Sequence, residues 1–416
     1  MSKIAIRVDT NKTIATGHVM RCMAVAAQLI KMGADVHVIS ADEGVRPFVD
    51  KTDERIYSHI MNTDWSNMES ELPTLIEYLR SENIDRLLVD SYQVTAPYFE
   101  RLRETGIHVV YMDDLCAQGY PVDAIINYNI CAPHMGYEEM YGDRAEIYKG
   151  SEPGEDADKV AMDAGDRGVK LYLGPRYTPL RSQFAENVSK NGSGIFLTTG
   201  GSDNLGIAEM IIRAIMENDH IGSSLKGSEN SPVGGTKSEV DGTPNIHLLA
   251  GRYYEPTEYV LQAIESGKVV LHQNVDNVAE VMSICSLAVS SAGSTLYELC
   301  AMGIPAISFT FADNQIENAL GFDREGIIPY AGDFRTDREG CIRKILDFLM
   351  GYAPVVCDRF APAEGSIGYQ EKDAKAESGE RTAFDSYLNR KHRMQEVTDG
   401  RGAERIARIV LEPDRT

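Results

Sequence analysis

Hydrophobic and polar positions along the chain change period again and again. From Lys3 to Asp9, Ile4, Ile6 and Val8 alternate with polar residues, the two-residue period of a strand with its apolar face inward and Asp9 at its carboxyl end. From Val19 to Met32 the apolar positions Val19, Cys22, Met23, Ala26, Ala27 and Ile30 recur at helical spacing, and Gly33 closes the helix. The alternation continues with a strand at Asp35 to Ser40, a helix at Leu72 to Glu82, a strand at Leu87 to Asp90 and a helix at Pro97 to Thr105. Strands follow at His108 to Met112 and Ala124 to Asn127.

The pattern then restarts. Strands are predicted at Gly194 to Thr198, Asn245 to Leu249, Val269 to Leu271, Leu287 to Ser290 and Pro305 to Phe309. Helices are predicted between them at Gly206 to Asn218, Glu255 to Ala263, Val278 to Cys285 and Thr295 to Met302. Strand and helix in alternation build a parallel sheet covered by helices, so the fold class is α/β with two doubly wound, Rossmann-like domains in tandem. The first is expected over 1–170 and the second over 171–393. Glu152 to Gly168, His220 to Gly242 and Cys357 to Arg390 lack a sustained apolar period and read as solvated insertions or loops. Met394 to Leu411 reads as one amphipathic helix, so 394–416 is expected to pack back near the domain junction.

Length and composition fit this organisation. The 416 residues suffice for two domains with a core each. A net charge of −22 disfavours nucleic acid and anionic lipid, so any phosphate is held locally by backbone amides. No apolar run is long enough for membrane insertion. The opening residues read as a strand rather than an export leader, and the expected location is the cytoplasm. The seven cysteines include no CxxC pair, which argues against a disulfide framework or a zinc site.

Two groups of residues carry candidate chemistry. The first lies where open α/β sheets bind ligands, beyond the carboxyl ends of the strands. Asp9 ends the first strand, Thr16 and Gly17 form a short loop, and His18 and Arg21 occupy the start of the next helix. The positive end of a helix disfavours imidazolium, so His18 is expected to be largely neutral near pH 7, as a general base requires. Spacing alone equally allows a histidine that bonds the loop. Asp90, Ser91, Tyr92, Asp113, Asp114, Asn127 and Asn129 gather at neighbouring strand ends, as ligand contacts or as caps and turn formers.

The second group is a pair of small-residue turns, each between a strand and a helix. One is Thr198-Thr199-Gly200-Gly201-Ser202-Asp203, the other Ser290 to Glu298. Glycines let the backbone approach a phosphate, and the amides opening a helix bind anions. Two such turns can face one pyrophosphate, with Glu298 accepting hydrogen bonds from ribose hydroxyls. Phe311, Asp313, Asn314 and Gln315 can contact sugar or phosphate, or cap a following helix.

Arg7-Val8-Asp9, Thr16 to Cys22, Gly200 to Asp203, Ser290 to Glu298 and Asp313-Asn314-Gln315 together resemble the PseG/SpsG family, as does Leu173 to Arg181. Its best-known members hydrolyse UDP-2,4-diacetamido-2,4,6-trideoxy-β-L-altropyranose in pseudaminic (nonulosonic) acid biosynthesis. The second-domain motifs are shared with wider GT-B enzymes such as MurG. The resemblance implies a GT-B fold with two domains facing a central cleft, UDP in the carboxyl domain and the sugar reaching toward the amino domain. It implies metal-independent hydrolysis without a cofactor and with inversion at C1, by water that His18 activates. It further implies that Gly201, Ser202, Ser294, Thr295 and Glu298 contact pyrophosphate and ribose, that Val275 lies near uracil, and that Tyr92 lies beside the sugar. On this reading the substrate contacts are Asp9, Gly17, Arg21, Tyr92, Asp113, Asn127, Gly201, Ser202, Asp203, Val275, Ser294, Thr295, Glu298, Asn314 and Gln315. The alternatives are a GT-B glycosyltransferase in which His18 deprotonates an acceptor hydroxyl, a hydrolase of a related nucleotide sugar, and a module that binds such a sugar without converting it.

Overall fold

The computed structural model describes residues 2–11, 13–14, 16–50, 53–149, 168–186, 194–200, 203, 205–218, 246–251, 254–358 and 377–412. They form two compact units, Met1–Ser182 with Gly400–Thr416, and Gln183–Asp399. Each unit is a parallel sheet flanked by helices, as the alternation predicts.

The first sheet contains β1 Lys3–Val8, β2 Asp35–Ser40, β3 Ile56–Ile60, β4 Arg86–Asp90, β5 His108–Met112, β6 Ala124–Asn127, β7 Ala145–Lys149 and β8 Val169–Leu173. Their order is β3-β2-β1-β4-β5-β6-β8-β7. The direction of winding reverses between β1 and β4, so β1 is central and buried on both faces from Ile4 onward. One apolar layer packs Ile4, Ile6 and Val8 against Val19, Cys22 and Ala26 of the helix Gly17–Lys31. The other packs Leu87 and Val89 against Leu75, Tyr98, Phe99 and Leu102. Gly33, at φ +88°, closes the helix Gly17–Lys31 in the left-handed conformation that glycine adopts without strain.

Arg7 corrects the simple alternation expected of β1, because it lies fully buried instead of on a polar face. It clasps Glu71 through Nε–Oε1 at 2.7 Å and Nη2–Oε2 at 2.6 Å. Tyr98 donates to the same Oε1 at 3.1 Å, and Asp9 Oδ2 lies 2.8 Å from Arg7 Nη1. Burial works against the Arg7 charge, but these partners override it and raise its pKa above the ordinary value.

The second sheet contains β9 Gly194–Thr198, β10 Ile246–Ala250, β11 Val269–Gln273, β12 Cys285–Ser291, β13 Ala306–Thr310 and β14 Tyr330–Asp333. Their order, β11-β10-β9-β12-β13-β14, reverses between β9 and β12. On its edge pair, His247 Nδ1 and His272 Nε2 lie 3.0 Å apart. Burial, with the neighbouring His272 second, pushes the His247 pKa down to about 4. An unfolded histidine binds its proton below about 6.5. Between these values the unfolded chain holds more protons, so this contribution to stability is lost as pH falls from about 6.5 toward 4. His247→Gln is expected to flatten the pH dependence of thermal unfolding across that window; an unchanged slope would exclude the effect.

Three expectations change. The first unit extends past residue 170 to Ser182, because β8 pairs with both β6 and β7 inside the first sheet. Cys357 to Arg390 is not a single insertion: a helix runs to Asp358 and another spans Glu377–Val397. The second of these belongs to the core of its unit, with the Tyr387 hydroxyl donating to the Ser286 carbonyl at 3.1 Å and Arg390 Nη1 to the Ile327 carbonyl at 2.9 Å. Of the other two insertions, 152–167 and 220–242 lie outside the described residues. Met394 to Leu411 is not one helix either, since it breaks around Gly400 at φ +76°.

Beyond the break, Gly402–Leu411 packs in the first unit, where Ala403, Ile406, Ile409 and Val410 join the layer of Val19 and Cys22. Arg405 Nη1 donates to the Arg176 carbonyl at 3.2 Å, and Lys170 Nζ to Glu412 at 2.5 Å. At Gly402 a Cβ would overlap the Thr178 backbone, which has no rotamer to move aside. Gly402→Ala is therefore expected to cost about 1–3 kcal/mol, the usual cost of overpacking. Urea unfolding checks this, and wild-type stability would show that the helix end shifts freely.

Candidate active site

Parallel α/β sheets bind ligands where the winding reverses, beyond the carboxyl ends of the strands. In the first unit that place is set by β1 and β4, whose ends pair as Val8 with Asp90. The chain leaves β1 through the loop after Asp9 and enters the helix Gly17–Lys31, which puts His18 and Arg21 one turn apart above Asp90.

Asp90 is the hub. Its side chain is buried, and His18 Nδ1 lies 2.6 Å from Oδ1. Arg21 grips both oxygens, Nε to Oδ2 at 2.6 Å and Nη2 to Oδ1 at 2.5 Å, while Cys22 Sγ donates to Oδ2 at 3.4 Å. Burial alone would raise the Asp90 pKa, but the Arg21 charge and the hydrogen bonds from Arg21 and His18 hold it well below the carboxylate range. An ionised carboxylate can only accept. His18 Nδ1 therefore donates to Asp90, and in the neutral ring Nε2 carries the lone pair.

Further contacts fix Arg21. Its Nη1 donates to Asp114 Oδ2 and to the Tyr128 hydroxyl, both at 2.7 Å. Tyr92 donates to the same Asp114 oxygen at 2.8 Å and meets the His18 ring edge-on, with centroids 4.6 Å apart. Burial and then the Asp114 charge push the Tyr92 hydroxyl far above its ordinary pKa, which keeps it a phenol and a donor. His18, Arg21 and Tyr92 thus stand together, with Gly17 opening the helix beside them.

Asp9, Asp113 and Asn127 serve the frame instead. Asp9 accepts from Ser40 Oγ at 2.9 Å and from the Ala41 amide at 2.8 Å. Asp113 accepts from the Leu115 and Cys116 amides and from the Tyr137 hydroxyl, the last at 2.7 Å. Asn127 donates to that hydroxyl at 3.0 Å. All three are buried and hold the loops that present the cluster.

In the second unit the reversal lies between β9 and β12, where Thr198 pairs with Ser290. Gly200, at φ +84°, turns the chain after β9, and a Cβ there would lie 3.4 Å from Ser291 Oγ, so the two small-residue turns adjoin. Gly201 and Ser202 lie outside the described residues. Asp203 is spent on its own helix, accepting the Ile207 amide at 2.8 Å and the Ala208 amide at 2.9 Å. After β12, Asn318 Nδ2 ties back the Ala292 and Gly293 carbonyls at 3.1 and 3.3 Å, and Tyr297 donates to Asn318 Oδ1 at 2.7 Å. Ser294 is exposed, and Thr295 opens the helix Thr295–Met302, whose Leu296 and Tyr297 amides turn back to the Gly293 and Ser294 carbonyls at 3.2 and 3.0 Å. Glu298 is half-buried one turn on. Asn314 is exposed, Gln315 Oε1 accepts from the Phe311 amide at 3.0 Å, and half-buried Val275 follows Asn274 at φ +53°.

The roles of Asp90, Asp114 and Tyr128 were missing from the candidate contacts. Asp90 and Asp114 stand among the polar strand ends, and a carboxylate ending the strand next to β1 was the available signal. Among the described residues no group of three or more His, Cys, Asp or Glu is placed to hold a metal ion, and no helix is long and apolar enough to cross a membrane.

No family model matches the chain. It is 20% identical over 314 residues to an uncharacterized protein of Methanocaldococcus jannaschii, covering 73% of this chain and 55% of that protein. It is 22% identical over 333 residues to the pseudaminic acid cytidylyltransferase and UDP-2,4-diacetamido-2,4,6-trideoxy-β-L-altropyranose hydrolase of Helicobacter pylori, covering 78% of this chain and 47% of that protein. The chain thus spans about half the length of these two relatives. Among solved structures, MurG of Acinetobacter baumannii superposes with a TM-score of 0.53 at 12% identity, over 99% of each chain. At that identity the likeness is one of fold, and the fold is GT-B.

Proposed function

We propose that the chain is a UDP-sugar hydrolase that releases UDP and a free 2,4-diacetamido-2,4,6-trideoxyhexose from UDP-2,4-diacetamido-2,4,6-trideoxy-β-L-altropyranose, with inversion at C1. The observation that carries this reading is the His18–Asp90 contact of 2.6 Å, which leaves Nε2 as a base directed by a buried carboxylate. The partial likeness to the Helicobacter pylori protein supports the substrate class.

In the reaction His18 Nε2 takes a proton from water as the water oxygen bonds to C1. The bond from C1 to the β-phosphate oxygen breaks on the opposite face, and its electron pair leaves with UDP. UDP departs as an anion, so it needs positive potential rather than a proton, and the positive end of the helix Thr295–Met302 supplies that. On this reading Gly201, Ser202, Ser294, Thr295 and Glu298 hold pyrophosphate and ribose, Val275 lies by uracil, and Asn314 and Gln315 line the same edge. Gly17, Arg21 and Tyr92 attend the sugar. The partners are a UDP-sugar and water, and the location is the cytoplasm.

The test is UDP release from this sugar nucleotide without an acceptor, run in water enriched in oxygen-18. The label is expected at C1 of the free sugar and not in UDP, and the first-formed anomer is expected to be inverted. A second reading, GT-B glycosyl transfer to a hydroxyl that His18 deprotonates, is favoured by the likeness to MurG over nearly the whole chain. UDP release that depends wholly on an added acceptor would establish it and remove the first.

A further inference from the structure

The turn between β12 and the helix Thr295–Met302 has its acceptors occupied and two of its donors unused. Ser290 Oγ donates to the Ser291 carbonyl at 2.9 Å, and the Gly293 amide reaches the same oxygen at 2.8 Å. Asn318 Nδ2 donates to the Ala292 carbonyl at 3.1 Å and to the Gly293 carbonyl at 3.3 Å. The Gly293 and Ser294 carbonyls also take the Leu296 and Tyr297 amides. Every carbonyl from Ser291 to Ser294 is thus occupied from within the second unit. The amides of Ser294 and Thr295, by contrast, reach no acceptor among the described residues.

Peptide geometry decides where those two amides point. Across a planar trans peptide the carbonyl and the amide that follows it face opposite ways. Holding the Gly293 carbonyl against Asn318 therefore aims the Ser294 N–H away from the helix Ile316–Arg324, which carries Asn318. The Ser294 carbonyl is turned into its own helix by the Tyr297 amide, which aims the Thr295 N–H out of the amino end of that helix. Two successive donors then stand beyond the end of β12, where the winding of the sheet reverses, and no bare carbonyl of the turn lies between them.

Asn318 is the member of this arrangement that comes from elsewhere in the fold, 25 residues from Gly293. Two carbonyls face one end of its side chain, so the nitrogen is at that end, and Oδ1 accepts from the Tyr297 hydroxyl at 2.7 Å. Without Asn318 the Gly293 carbonyl would keep only the Leu296 amide, and the Ala292 carbonyl would keep no donor among the described residues.

We infer that Asn318 is a positioning residue for the phosphates of the nucleotide: by drawing back the Ala292 and Gly293 carbonyls, it presents the Ser294 and Thr295 amides to the pyrophosphate. The inference rests on the UDP-sugar reading and deepens it. Asn318 acts on the ligand through the turn, so its influence falls on the phosphates and leaves uracil and ribose alone.

The experiment measures the affinities of uridine, UMP and UDP for the full chain by calorimetry, in the wild type, Asn318→Ala and Tyr297→Phe. Tyr297→Phe keeps the buried ring and removes only the hydroxyl that fixes the amide, so the test stands even if Asn318→Ala does not fold. Asn318→Ala is expected to bind UDP about 10-fold more weakly than the wild type and uridine within about twofold of it. Tyr297→Phe is expected to shift the ratio of UDP to uridine affinity in the same direction, by about threefold. A purely structural Asn318 would weaken uridine and UDP by one common factor, which would overturn the inference. Wild-type affinities of both variants for all three ligands would overturn it as well. A wild-type protein that binds no UDP would instead remove the functional reading, and the inference with it.

Discussion

With asparagine in place of Asp90, turnover falls about 10³–10⁴-fold while affinity for UDP stays close to wild type. The carboxylate fixes which ring nitrogen of His18 carries the proton, through a contact of 2.6 Å. An amide that turns its NH2 toward Nδ1 reverses the tautomer, so the proton moves to Nε2 and the proposed base is lost. His18→Ala should lose a similar factor, and the double variant little more, because two groups that act as a unit are not additive. Steady-state rates of UDP release, with UDP binding measured separately, decide the matter. If Asp90→Asn keeps turnover within about tenfold of wild type, the helix N-terminus is enough to maintain the base and the dyad is not the catalytic element.

Glu71→Gln is expected to lower the unfolding free energy of the first unit by about 3–5 kcal/mol, because it strands a buried guanidinium. Arg7 is wholly inaccessible, and Glu71 gives it two contacts, at 2.7 and 2.6 Å. A loss of that size is a large share of the roughly 5–15 kcal/mol that holds a domain folded. Guanidinium titration followed by circular dichroism measures it. A loss below about 1 kcal/mol would mean that Asp9 and the neutral amide at position 71 satisfy the charge. The pair also links fold to site, since the same arginine lies 2.8 Å from Asp9 at the start of the loop that leads to His18.

Much of the fold was legible because central strands and their helices carry strong local periods. β1, β2, β4, β5 and β6, and β9, β10, β12 and β13, all lie where apolar runs predict strands. The strands β3, β7, β8 and β14 were not read; in the edge strands β3 and β14, Tyr57, His59 and Asp333 interrupt the apolar run in short, half-covered segments. Helix Glu377–Val397 was hidden for a related reason: its sequence is mostly polar, and it is held in place by contacts such as Tyr387 to Ser286, 101 residues away.

The site divides in the same way. His18 and Arg21 could be read from their position at a helix start, and the turns of the second unit from their glycines and serines. The groups that organise His18 could not, since they come from other strands. Asp90 lies 72 residues from His18, while Asp114 and Tyr128 lie 93 and 107 residues from Arg21. Only the order of strands in the sheet brings them together. Asp9, Asp113 and Asn127 show the converse: polar residues at strand ends look alike in sequence, whether they meet a ligand or tie down their own loop.

The return of Gly402–Leu411 to the first unit gives the chain an order of assembly. As synthesis proceeds from the amino end, residues 183–399 emerge and can close their sheet while the first unit still lacks its last helix. Until then the layer that includes Val19, Cys22 and Ala26 stays open to solvent on the side that Ile406, Ile409 and Val410 will cover. The unit begun first is thus finished last, and a fragment cut at Ser182 exposes a greasy stripe that a chaperone or another nascent chain would find before its own helix does.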